Sequence, residues 1–114
     1  MESRTIDNAQ CFVRQFVEQR NWRTPPSDVL IHLVEEIGEV ARNVLILKNY
    51  GGQHVEGAKK MNIDEELADV LYLLLKLANE CNVDLSSAFE SKMVKNAQRF
   101  PADAQNVASL RSFS

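Results

Sequence analysis

The chain has 114 residues, 45% hydrophobic and 25% charged, which fits one globular domain (residues 1–114) with a modest core. Its formal charge of −3, from 16 acids against 13 bases, argues against nonspecific binding to a nucleic-acid polymer, which requires a basic face. The start, Met1-Glu2-Ser3-Arg4-Thr5, has no apolar signal region, and the longest apolar run, Val70 to Leu75, is too short to cross a bilayer before Lys76 interrupts it.

A soluble cytoplasmic protein without a membrane partner is therefore expected. Cys11 and Cys81 stand in no ligand-spaced group. They read as small buried apolar residues in a reducing compartment rather than as a disulfide.

Four helical segments follow in order, and no segment shows strand alternation. The first spans about Ile6 to Arg20, with Cys11, Phe12, Phe16 and Val17 on its apolar stripe and Thr5 or Asp7 as its cap. Pro25-Pro26 breaks it. Ser27 or Asp28 then caps a second helix that reaches about Lys48. Its stripe of Leu30, Leu33, Val34, Ile37, Val40, Ala41, Val44 and Leu45 extends over roughly 30 Å.

Asn49-Tyr50-Gly51-Gly52 ends the second helix, and residues 50–62 read as a mobile polar loop containing His54. Asn62 or Asp64 starts the third helix, which runs to about Glu80. Leu67, Val70, Leu71, Leu73, Leu74, Leu75, Leu77 and Ala78 cover more than one of its faces. A helix apolar on most sides is buried on most sides. Three neighbours within one small chain hardly cover it, so an oligomer is predicted. Asp84 caps the fourth helix, Leu85 to about Arg99, which Pro101 stops. The expected core is about 6–100, with a frayed tail over 101–114.

The chemistry lies in two acid pairs of equal spacing, Glu36 with Glu39 and Glu66 with Asp69, with Glu35 ahead of the first. Carboxylates three apart share one helix face. One such pair means little, since most helical acids are solvated. Here both pairs border core-facing stripes, where an unpaired charge costs several kcal/mol. Arg42 offers Glu39 an ion pair one turn on, but no base lies one turn from both Glu66 and Asp69. Two such faces brought together form an anionic cluster that calls for a hard divalent cation, Mg²⁺ or Mn²⁺.

Other chemistries fit less well. Neither His32 nor His54 follows a Glu by three, as carboxylate-bridged di-iron bundles require. His32 reads as a packed or half-exposed helix residue, with a role beside Glu35 and Glu36 as the alternative. No zinc spacing, P-loop, GxGxxG or nucleophile motif is present.

Glu36-x-x-Glu39 followed by Glu66-x-x-Asp69 resembles the ExxE…ExxD pattern of the MazG-like all-α nucleoside triphosphate pyrophosphohydrolases. Asn21-Trp22 before a proline cap, Asp69-Val70-Leu71, and Lys92-Met93-x-Lys95-Asn96-x-x-Arg99-Phe100-Pro101 resemble its short single-domain branch, which includes dCTP pyrophosphatase.

The resemblance covers about residues 10–101. It implies a four-helix, bundle-like, all-α subunit, assembly into a homodimer or homotetramer, Mg²⁺ dependence, and cleavage of a nucleoside triphosphate to monophosphate and pyrophosphate. Glu36, Glu39, Glu66 and Asp69 take the metal-ligand positions, and Glu35 binds a further metal or orients water. The branch often has a second Trp after the ExxE helix and a Tyr four after the metal-binding Asp. Val44-Leu45-Ile46-Leu47 and Leu73 stand there in this chain, so base specificity does not carry over.

On this reading a water attacks the α-phosphorus, with Glu35 or Glu36 assisting proton removal. Lys92, Lys95 and Arg99 share one face of the fourth helix: either a solvated basic surface or, with Asn96, phosphate contacts. Trp22 is either a lid over the core or a platform on which a base stacks, supported by Tyr72 and Phe16. Lys48, Lys59 and Lys60 flank the mobile loop and read as solvated. The alternatives are a noncatalytic helical interaction module on the same scaffold, and a pyrophosphohydrolase for another phosphate ester. The acids favour an enzyme, because a scaffold has no reason to keep repelling carboxylates.

Overall fold

The computed structural model describes residues 5–47 and 63–102. They form four helices: α1 (Ile6–Gln19), α2 (Pro26–Leu47), α3 (Ile63–Glu80) and α4 (Leu85–Arg99). Among the described residues there is no strand, and no helix is long and apolar enough to cross a membrane. The expected loop over 50–62, with His54, Lys59 and Lys60, lies outside the described residues, as do Lys48, Asn62 and most of the tail.

Helix ends follow local chemistry. Thr5 caps α1, its hydroxyl accepting from Asn8 N at 3.0 Å, and Asp84 caps α4 by accepting from Ser87 N at 3.2 Å. Ser27 and Asp28 do not cap α2. The helix begins a residue earlier, at Pro26, and Pro25 O accepts from Asp28 N and Val29 N. Proline suits that first position because its missing N–H has no intrahelical partner there in any case. Asp64 lies inside the first turn of α3 and accepts from Glu65 N at 3.0 Å. Asn21 (φ 55°) and Asn82 (φ 56°) close α1 and α3 in the left-handed region, which asparagine tolerates better than most residues.

α3 is the central element. It packs along α2 and against α1, while α4 rests on α1. Val29, Leu33 and Leu73 form the buried core, with Val70, Tyr72 and Leu77 packed against it. The buried face of α1 carries Gln10 and Val13, whereas Cys11 and Phe12 are exposed. Cys81 is exposed as well, so neither cysteine is the buried apolar residue expected, and neither is in a disulfide. Among the described residues only one side of α3 is covered: Leu73, Leu75 and Ala78 are buried, while Leu67, Leu71 and Leu74 are 40–52% exposed.

Candidate metal and nucleotide site

Glu36 and Glu39 sit one turn apart on α2, facing the helix that carries Asp69. Burial raises the Glu36 carboxyl above the ordinary glutamate value. The negative charges of Glu39 and Asp69 and a hydrogen bond shared with Glu39 push it the same way, and His32 opposes them. Glu36, Glu39 and Asp69 thus form one electrostatic group across the α2–α3 contact. His32 Nε2 lies 3.4 Å from Glu36 Oε1, so this half-exposed histidine stands beside the acids.

Glu66 is placed differently. Its Oε1 accepts from Asn43 Nδ2, one turn beyond Glu39, and it is not among the charges acting on Glu36. Glu35 is exposed. Arg42 forms no ion pair with Glu39 among the described residues, where the single such contact is His32 with Glu36. As placed, no three acid, histidine or cysteine side chains among the described residues converge on one metal-ligand point. The donor chemistry nonetheless fits a hard cation. The groups are all carboxylates, and the crowded Glu36 tends to hold a proton where a divalent ion would relieve the same repulsion.

A cavity of about 470 Å³ opens beside these acids, lined by Phe16, Trp22, His32, Asp69, Tyr72, Leu73 and Lys76. The backbone delivers Trp22 to it: the left-handed turn at Asn21 ends α1, and Trp22 N donates back to Val17 O at 3.2 Å. Trp22 meets Phe16 edge-on at 5.8 Å, and Phe16 meets Tyr72 edge-on at 6.1 Å. The Arg20 guanidinium caps Phe16 at 3.6 Å. Trp22 is 47% exposed, so it is an open aromatic wall rather than a buried lid. Burial raises the Tyr72 hydroxyl; Arg20 lowers it, and Asp69 raises it further.

Lys76 was legible in the sequence only as a break in an apolar run. It is buried, and its Nζ lies 5.6 Å from the Trp22 ring centroid and 5.9 Å from that of Tyr72. The signal was its spacing: positions 69, 72, 73 and 76 share one helical face.

α4 does not reach this cavity within the chain. Lys92 lines a separate apolar groove with Ile6, Leu71, Leu74 and Phe89. Lys95 is exposed, and the half-buried Asn96 turns its Nδ2 to Met93 Sδ at 3.8 Å. Arg99 stacks on Phe100 at 5.2 Å.

The family model for the MazG nucleotide pyrophosphohydrolase domain matches residues 24–103. dCTP pyrophosphatase 1 of Homo sapiens is 35% identical over 103 residues, 86% of this chain and 60% of that protein. The Rattus norvegicus protein of the same name is 35% identical over 101 residues, 85% and 59% of the two chains. The chain thus spans about three fifths of the length of these curated relatives.

Among solved structures, the Bacillus-conserved MazG protein, a nucleotide pyrophosphohydrolase, superposes with a TM-score of 0.64 at 33% identity, covering 83% of this chain and 92% of that one. YPJD from Bacillus subtilis superposes with a TM-score of 0.69 at 28% identity, covering 90% and 100%. An all-helical chain with paired acids on packed helices and an aromatic cavity beside them, matched in this way, belongs to the MazG nucleotide pyrophosphohydrolase family.

Proposed function

We propose that this chain hydrolyses a nucleoside or deoxynucleoside triphosphate to the monophosphate and pyrophosphate, with Mg²⁺ and with Mn²⁺ as a substitute. The observation that carries this reading is the coupling of Glu36, Glu39 and Asp69 across the α2–α3 contact, immediately beside a cavity walled by aromatic rings. Relatives named for dCTP make dCTP and noncanonical deoxynucleotides the first substrates to assay.

Glu36, Glu39, Glu66 and Asp69 would hold the cation, with Glu66 released from Asn43. Once bound, the ion neutralises phosphate charge. The remaining work falls to the protein. Glu35, exposed next to Glu36, takes a proton from the attacking water, and Glu36 is the second candidate for that role. Trp22 and Tyr72 flank the base.

Lys92, Lys95 and Asn96 lie away from the acids of their own chain, so their phosphate contacts would be made across a subunit boundary. A homodimer or homotetramer is part of the proposal. It is supported by the outward apolar side chains of α2 and α3, Ile31, Val34, Leu67 and Leu71 among them. A cytoplasmic setting agrees with two exposed cysteines outside any disulfide.

The test is pyrophosphate release from a panel of nucleoside and deoxynucleoside triphosphates, with and without Mg²⁺. Metal-dependent release, abolished in Glu36→Gln and Asp69→Asn proteins that keep their helical content, is the expected result. Equal activity in those variants removes the site assignment.

A further inference from the structure

We propose that Lys76 reads the outer edge of the nucleobase and selects bases that carry a carbonyl oxygen there, uracil or thymine over cytosine. This rests on the nucleotide reading above and adds to it the class of base.

Lys76 is 9% exposed, and among the described residues no carboxylate, hydroxyl or carbonyl lies within hydrogen-bonding distance of its ammonium. Its neighbours are the faces of Trp22 and Tyr72, which attract a cation but accept no conventional hydrogen bond. The side chain lines the cavity beside Asp69 and also an adjoining cavity of about 550 Å³, where Glu18 and Glu80 form no ion pair with it. An ammonium ion has three donors and no acceptor. No buried side-chain nitrogen or oxygen among the described residues lacks a partner, so the unbonded ammonium still reaches solvent; a base that displaces that water must supply an acceptor or leave the charge unpaired, which is costly.

Distance selects which part of the ligand arrives. Lys76 follows Asp69 by two helical turns, about 10.5 Å along α3. That matches the reach of a nucleoside from its 5′ phosphate to the far edge of its base. With the phosphates at the acids, the base lies between the rings of Trp22 and Tyr72, and its far edge meets Lys76. In a pyrimidine the ring position opposite the sugar bears an oxygen acceptor in uracil and thymine and an amino donor in cytosine. Guanine and adenine differ in the same sense at their outer edge. A lysine accepts nothing from an amino group, so at that ring position the amino bases offer it no partner and only a neighbouring ring nitrogen is left to accept. The curated relatives are named for a cytosine nucleotide, so base preference separates this cavity from theirs.

Trp22 is the sole tryptophan and reports directly on the cavity. The full chain is titrated in the presence of Mg²⁺ with dUMP, dTMP, dCMP, dGMP and dAMP while Trp22 fluorescence is followed. dUMP and dTMP should bind about tenfold tighter than dCMP, and dGMP tighter than dAMP. Lys76→Met should erase both preferences and Lys76→Arg should keep them, with helical content unchanged by circular dichroism.

Equal affinity for dTMP and dCMP in the unmodified protein overturns the inference. So does quenching by none of the nucleotides, or a preference that survives in Lys76→Met. The unmodified ranking decides alone if Lys76→Met does not fold. Pyrophosphate release without a carbonyl preference sinks this inference and leaves the function standing. Carbonyl-selective quenching without pyrophosphate release does the reverse.

Discussion

Gln10 Nε2 donates to Val83 O at 2.7 Å, joining the buried face of α1 to the turn between α3 and α4. The same amide closes the turn from its other side, Oε1 accepting from Leu85 N at 3.2 Å, and Asn79 Nδ2 donates to Gln10 O at 3.1 Å. A polar side chain only 6% exposed is tolerable because both ends of its amide are satisfied. Gln10→Leu leaves the Val83 carbonyl and the Leu85 N–H without this partner. The expected loss is about 2 kcal/mol of unfolding free energy, read from urea denaturation. An unshifted midpoint would mean that water replaces the amide.

Leu73 is 2% exposed and packs with Val29 and Leu33 where α3 meets α2. Leu73→Ala should cost about 2–5 kcal/mol, measured by thermal melting, because the surrounding side chains collapse only partly into the space left. It also widens the cavity next to Tyr72, so nucleotide affinity should fall along with stability.

The raised Glu36 carboxyl has a definite signature in pH. The folded chain holds this proton more tightly than the unfolded chain does. Its contribution to stability is therefore complete below the ordinary glutamate range and is lost as pH rises through the raised value. Metal-free protein should lose stability over that interval relative to Glu36→Gln, whose side chain does not titrate. Melting curves of the two proteins across pH measure the difference. A parallel pair of curves would refute the crowding of Glu36 by Glu39 and Asp69.

Trp22 packs T-shaped against Phe16, is 47% exposed and lines the cavity. Trp22→Ala should raise KM about tenfold with a smaller effect on kcat, as expected when stacking holds ground state and transition state alike. An unchanged KM would make Trp22 a packing residue.

The four helices and most of their ends were legible in the sequence because 3.6-residue periodicity and short polar caps are local properties. Thr5 and Asp84 illustrate this, each bonding a backbone N–H three residues on. The start of α2 was not legible, because Pro26 needs no side-chain cap and the Pro25 carbonyl takes the first backbone bonds. The buried stripe of α1 was not legible, because Gln10 looks like a surface residue until the α3–α4 turn supplies its partners. The acid pairs were legible as motifs. The tie of Glu66 to Asn43 was not, because it joins α3 to α2 across a segment that local patterns do not specify. Lys76 was not legible for a related reason: a lysine inside an apolar run looks like an interruption until Trp22 comes beside it from another part of the chain.

The bare leucines on the outer side of α3 bear on how the protein melts. In the proposed assembly, part of the free energy that holds each copy together is released only on association. The midpoint of unfolding would then climb as the solution is made more concentrated. Replacing Leu71, which is 52% exposed, with a lysine should flatten that climb while leaving the helices of a dilute sample intact.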